Sequence, residues 1–202
     1  MKPGFIMAAA ALLLLGGCAG MTRKDIHKTA EDRWEARSAG LQHVDRFLMQ
    51  ARGAYGRVLP VKADLRWQQN ADGSFDLRIA GPFGIGATTV SGTLDDVTVR
   101  TGKGTYHSRD PEGWIENRMG WTLPLAGLRY WMLGLPSPYS EADIELDPQG
   151  RIVSLQQDGW RLDYGEYQRA GGYELPRKFE VANDDVRLKV VVDAWSDLPP
   201  PR

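Results

Sequence analysis

The chain carries few groups able to do covalent chemistry. Its only thiol is Cys18, and its only histidines are His27, His43 and His107. No two of these histidines stand in a His-x-x-x-His or other metal-ligand spacing. Gly-x-Ser-x-Gly, the turn that presents a hydrolase serine, is absent. Gly84-Ile85-Gly86 lacks the remaining glycine of a dinucleotide loop, and no Gly-Lys-Ser/Thr phosphate loop occurs. Asp95-Asp96 and Asp184-Asp185 are adjacent carboxylates, but each pair falls between two strand patterns, where solvated turns are the rule. A glycosidase would need its carboxylates across a polar cleft. These residue types argue against an enzyme, a resident metal or a cofactor. They leave Cys18 as the one reactive position.

Cys18 closes an apolar run, Phe5-Ile6-Met7 followed by Ala8–Ala11 and Leu12–Leu15, with Lys2 before it and Gly16-Gly17 after it. A charged start, a short apolar stretch and small residues make a secretory signal peptide. The run is short for a permanent bilayer-spanning helix. Leu15-Gly16-Gly17-Cys18 resembles the lipobox of bacterial lipoproteins. That resemblance implies removal of residues 1–17 and acylation of Cys18, which becomes the mature N-terminus. A lone exported thiol with no disulfide partner would otherwise be unusual. An acidic residue after the cysteine would suggest retention at the inner membrane; Ala19 suits the outer membrane. No later segment reads as a membrane span, so attachment is expected through lipid alone.

The chain has 202 residues, 42% hydrophobic and 25% charged, with a net charge of −1, which suits one domain with a real core and gives no basic excess for nucleic acid. Twenty-three glycines, 12 prolines, seven tryptophans and seven tyrosines favour a turn-rich β protein. Residues 18–29 read as a tether, 30–198 as a single domain and 199–202 as a proline-rich tail. Trp34, Leu41, Val44, Leu48 and Ala51 recur at helical spacing, which predicts a helix over 30–51, with Gly40 as a weak point and Gly53 as a stop. Val61, Ala63, Leu65 and Trp67 alternate with polar residues, as do Phe75, Leu77 and Ile79 beyond the turn at Asn70–Gly73; this is a hairpin. Val90–Leu94 and Val97–Val99 follow as strands. Asp110-Pro111 and Pro124 open two short apolar helices, the second ended by Gly134 and Pro136. Strand patterns return around Ile144, Ile152, Trp160, Phe179 and Val186–Val192. About ten strands with one wet face predict a mainly β fold with some α: a curved antiparallel sheet, an incomplete half-open barrel, whose apolar cavity is covered by short helices.

Three segments in this order resemble the LolB family. Gly81-Pro82-Phe83-Gly84 follows the strand Phe75–Ala80. Gly120-Trp121-Thr122-Leu123-Pro124-Leu125 runs on to Leu128-Arg129-Tyr130-Trp131-Met132-Leu133-Gly134-Leu135-Pro136. Leu155-Gln156-Gln157-Asp158-Gly159-Trp160 is followed by Tyr164–Tyr167 and Leu175-Pro176. The resemblance begins at Gly56-Arg57 and covers most of the mature chain. Two departures stand out: Arg52 falls where the family commonly has an aromatic, and Phe83 replaces a leucine.

The resemblance implies an outer-membrane lipoprotein, facing the periplasm, that receives acylated lipoproteins from the periplasmic carrier LolA and inserts them into the membrane's inner leaflet. It implies that the apolar cavity takes the client's acyl chains and that the loop tip of Pro82, Phe83 and Gly84 meets the membrane. A monomer with no cofactor beyond its own lipid is expected. Trp67, Trp121, Trp131 and Trp160 fit either core or cavity lining; any one alone is better read as core. As a group, with Leu65, Leu77, Ile79, Leu125 and Met132, they are candidate lining. Arg129 reads as a snorkelling side chain. Acyl burial is worth about 0.8 kcal/mol per CH₂, so release into water is too slow a route and transfer must pass from pocket to pocket. The competing reading is a lipoprotein that binds a free lipid or glycolipid, or that scaffolds an envelope complex; cargo separates the two.

Overall fold

The computed structural model describes residues 28–55, 61–119 and 124–201. Eleven strands form one antiparallel sheet in the order β6-β5-β4-β3-β2-β1-β11-β10-β9-β8-β7. The strands are β1 (Phe47–Tyr55), β2 (Val61–Gln69), β3 (Phe75–Ala80), β4 (Thr88–Thr93), β5 (Asp96–Thr101), β6 (Gly104–Ser108), β7 (Asp143–Leu146), β8 (Ile152–Gln157), β9 (Trp160–Ala170), β10 (Tyr173–Ala182) and β11 (Arg187–Ser196). The two edge strands, β6 and β7, are not paired with each other, so the barrel stays open. Three α-helices are described: α1 (Ala30–Leu41), α2 (Pro111–Met119) and α3 (Leu125–Leu133). None is long and apolar enough to cross a membrane.

Period-two patterning sets the face of each strand. Met49 lies opposite Trp67 and Trp195, Trp67 lies opposite Leu77, and Leu77 lies opposite Val90. These side chains share the concave face, while Arg52, Asp64, Arg66 and Arg78 share the convex one. α2 starts and α3 ends as their sequence signals require, while Pro124 stands at the cap position of α3 with no side-chain capping bond. Asp110 Oδ1 accepts the Gly113 amide at 2.9 Å and Pro111 is the first residue of α2. Gly134 ends α3 in the left-handed conformation, φ 75°.

The helix read over 30–51 is corrected by the structure. α1 ends at Leu41, and residues 47–55 are strand. Leu41, Val44, Leu48 and Ala51 fall at helical spacing, yet Phe47, Met49 and Ala51 also alternate. β1 lies between β2 and β11. At its first turn of sequence Phe47, Leu48 and Met49 are all buried, so the alternation that marks a half-wet strand is blurred.

The register also orders the two ends of the half-barrel. Phe47 pairs with Gln69 at one end and Tyr55 with Val61 at the other. The β3–β4 loop lies at the Tyr55 end. At the Phe47 end lie the β7–β8 turn and the β9–β10 turn. α1 docks there. Thr29 and Asp32 cap it reciprocally, Arg33 Nη1 donates to the Pro148 carbonyl at 2.6 Å, and Arg37 pairs with Glu174. Gly150, at φ +72°, lets the helix approach; a Cβ there would stand 2.6 Å from the Trp34 amide nitrogen. Gly150→Ala is therefore expected to cost about 2 kcal/mol from left-handed strain and the clash together. That lowers the melting temperature by roughly 4–8 °C, as read by thermal circular dichroism. The tail docks at the same end, with Leu198 over Gly171 and Pro201 over Gly172.

Candidate functional site

Two features stand out: the concave face with the helices on it, and the β3–β4 loop. α3 is fixed to the concave face by buried polar contacts. Trp131 is fully buried, and its indole Nε1 donates to Gln157 Oε1 at 2.8 Å. The same oxygen accepts the Ser137 amide at 2.8 Å, while Gln157 Nε2 donates to the Ser137 and Ser140 carbonyls at 2.8 and 3.0 Å. The Tyr164 hydroxyl donates to the Trp131 carbonyl at 2.8 Å. Burial pushes that hydroxyl well above its ordinary pKa, with Tyr167 adding to the shift, so it remains a donor. Nearby, Tyr167 donates to the Ile152 carbonyl at 2.7 Å under two guanidinium groups, Arg37 and Arg151, each about 5 Å from its ring centre. Burial raises the Tyr167 pKa and outweighs those two charges, which act to lower it.

Among the proposed lining residues, Trp67, Leu77, Leu125, Trp131, Met132 and Trp160 are buried in one continuous core. Leu65 is half-buried and Ile79 is 38% exposed. Trp121, like Cys18, lies outside the described residues. The hollow between α3 and the sheet is bounded by Trp67, Phe75, Leu94, Leu125 and Arg129 and measures about 210 Å³. That is below the roughly 300–1,000 Å³ of pockets that enclose a small ligand. The packed end of the half-barrel is thus closed, and its apolar surface opens instead toward the β3–β4 end, where Val61, Ile79, Leu65 and Leu188 are exposed or half-buried.

The loop closes tightly on itself. The Gly84 amide donates to the Gly81 carbonyl and the Gly81 amide to the Ile85 carbonyl, both at 2.9 Å. Within this turn Phe83 takes φ 59°, ψ 22°, a left-handed conformation that a bulky residue adopts only at a cost. Its side chain is fully exposed, and Ile85 is 72% exposed. Two large apolar side chains thus stand in solvent at one tip, one of them on strained backbone. Ile85 was not singled out from the sequence, although Gly84 and Gly86 flank it with the same turn signal.

No group of three or more His, Cys, Asp or Glu side chains among the described residues could hold a metal ion. His43 Nδ1 lies 2.7 Å from the Ala39 carbonyl and His107 Nδ1 lies 3.1 Å from the Thr98 hydroxyl, both structural contacts.

The profile of the family described as outer membrane lipoprotein LolB matches residues 57–195. A relative from Pseudomonas aeruginosa with that description is 33% identical over 96% of this chain and 97% of its own length. One from Pseudomonas putida is 34% identical over 91% of each chain. The chain belongs to the LolB family. A LolA superfamily protein from Nitrosomonas europaea overlays with a TM-score of 0.48 at 10% identity, covering 87% of this chain and 94% of that one. A lipoprotein-sorting domain from Vibrio parahaemolyticus gives 0.49 at 9%, covering 83% and 89%. In this LolB-family chain the matched region takes in the whole β3–β4 loop, α3 and Gln157.

Proposed function

We propose that this protein takes the acyl chains of a client lipoprotein from a LolA-type periplasmic carrier against its concave face and passes them to the outer membrane. Phe83 carries this reading. A fully exposed aromatic on left-handed backbone has no partner among the described residues, and the lipid interface supplies one. The concave face is apolar and opens at the same end as the loop, so acyl chains leaving it have a short path to lipid. No nucleotide is involved; the step runs downhill into the bilayer. The described interior is too tight to hold an acyl chain as it stands, so entry displaces side chains at the open end around Leu65, Ile79 and Leu188 while Gln157 keeps α3 in place.

In this reading residues 1–17 are removed, Cys18 carries the anchor, and the protein works as a monomer on the periplasmic side of the outer membrane. α1 starts at the end of the half-barrel away from Phe83. Residues 18–29 have a contour length of about 40 Å, against about 33–36 Å for strands the length of β9–β11. The tether is just long enough for anchor and loop to share one bilayer. Deleting six residues between Ala19 and Lys28 is expected to slow delivery in cells at least severalfold without changing cargo binding in solution. Unchanged delivery would remove the tether from the mechanism. The whole reading is tested by depletion: acylated outer-membrane lipoproteins are expected to accumulate in the periplasm, and their normal arrival at the outer membrane would overturn it.

A further inference from the structure

The convex face beside the loop has a feature that acyl transfer does not use. Arg66 of β2 and Arg78 of β3 are direct cross-strand partners on the exposed side of the sheet. Like charges so placed destabilise a sheet. Neither belongs to an ion pair among the described residues. The Pro82–Gly84 turn leans over this face and leaves a groove on either side of itself. One, of about 380 Å³, is bounded by Arg52, Arg66, Arg78, Gly84 and Asp193; the other, of about 410 Å³, by Arg52, Lys62, Lys189 and Pro82. Asp64 borders both. Asp193 is already held by Arg52 through bonds of 2.6 and 2.9 Å, and Lys189 lies 3.8 Å from Glu180. Five basic side chains therefore line the two grooves against the two carboxylates of Asp64 and Asp193, in a chain whose net charge is −1.

We infer that this convex flank is a second membrane contact, in which Arg66 and Arg78, with Lys62 beside them, bind the phosphates of anionic phospholipid headgroups while Phe83 and Ile85 enter the interface. Basic side chains next to exposed apolar ones are the composition of an interfacial binding surface. A phosphate between the two guanidinium groups also relieves their repulsion, which is otherwise an unexplained cost. The protein then leans on this flank, and the open end of its concave face is turned toward the leaflet. The inference builds on the reading of the loop as membrane-facing, but its charge component can be measured separately.

The form beginning at Ala19 contains every described strand and helix, so it folds without the lipid anchor and exposes the weaker contact. Its sedimentation is measured with vesicles of phosphatidylethanolamine mixed with either phosphatidylglycerol or phosphatidylcholine. Partition is expected to be about tenfold stronger on the phosphatidylglycerol vesicles and to weaken with salt. Arg66→Gln with Arg78→Gln should remove most of that preference, with a melting temperature equal to or above the parent's because a like-charge pair is gone. Phe83→Glu should lower partition on both vesicles yet keep the preference for the anionic one. Equal partition of the parent on the two vesicles, or an unchanged preference in the double variant, overturns the inference. Capture of acylated lipoprotein in solution by the double variant, read in parallel, reports separately on cargo handling.

Discussion

Phe83→Glu is expected to bind acylated lipoprotein as the parent does and to fail in delivering it. The side chain is fully exposed and belongs to no core contact among the described residues, so its replacement leaves the core and the concave face intact. The turn is held by backbone bonds of Gly81, Gly84 and Ile85, which a new side chain at position 83 does not break. What is lost is the apolar contact with lipid, worth about 2 kcal/mol for one phenylalanine, and a carboxylate now meets an anionic leaflet. Delivery to vesicles should fall at least about thirtyfold on that figure alone, since 1.4 kcal/mol is a factor of ten. Phe83→Leu keeps a large apolar tip and should deliver nearly as well. The measurement is transfer of a labelled lipoprotein from carrier to vesicles, with capture by the variant assayed in the same samples. Normal delivery by Phe83→Glu would remove the loop from the mechanism.

The second large effect is on stability. Gln157 is 3% exposed and serves four partners: the Trp131 indole, the Ser137 amide, and the Ser137 and Ser140 carbonyls. Gln157→Leu keeps the volume and removes all four bonds. Several buried polar groups are then orphaned, each at about 1–3 kcal/mol. Partial relaxation of the Ser137–Ser140 segment toward water limits the total to about 4 kcal/mol, equivalent to roughly 8–16 °C in melting temperature for a chain of this size. Gln157→Glu keeps the acceptor for two donors but loses both donations, so it should fall between the parent and Gln157→Leu. Thermal denaturation followed by tryptophan fluorescence reads both, because Trp131 and Trp160 lie 6.5 Å apart beside the site. A melting temperature within a degree or two of the parent would mean that α3 is held without Gln157, by apolar packing and the Tyr164–Trp131 bond.

Legibility in the sequence followed local physics. β2 and β3 could be read because each has one wet face and a turn between them; Asp110-Pro111 and Gly134 bounded helices because caps act locally. β6 escaped because Gly104–Ser108 has one half-buried aromatic, Tyr106, and no apolar alternation. The first half of β10 escaped because Pro176 argues against a strand; it is tolerated at an irregularity, where the register with β9 shifts between Pro176 and Lys178. β1 was misread because burial at Phe47–Met49 erases the period of two. At the site, Pro82 and the glycines around Phe83 gave away an exposed tip. The role of Gln157 did not show: a glutamine in a strand looks the same whether it faces water or bonds four partners that lie 17 to 26 residues away in the chain. The opposed arginines were equally hidden, since only the β2–β3 register sets Arg66 against Arg78.

Acyl binding in the concave face is tested most directly by photo-crosslinking. A lipoprotein carrying a photoreactive group in its acyl chain is transferred from the carrier, irradiated, and the attached residues are mapped. Attachment at the open end of the concave face, to Leu65, Ile79 or Leu188, is the expected result. Attachment only to convex-face residues, or none while carrier-bound lipoprotein is consumed, would contradict it.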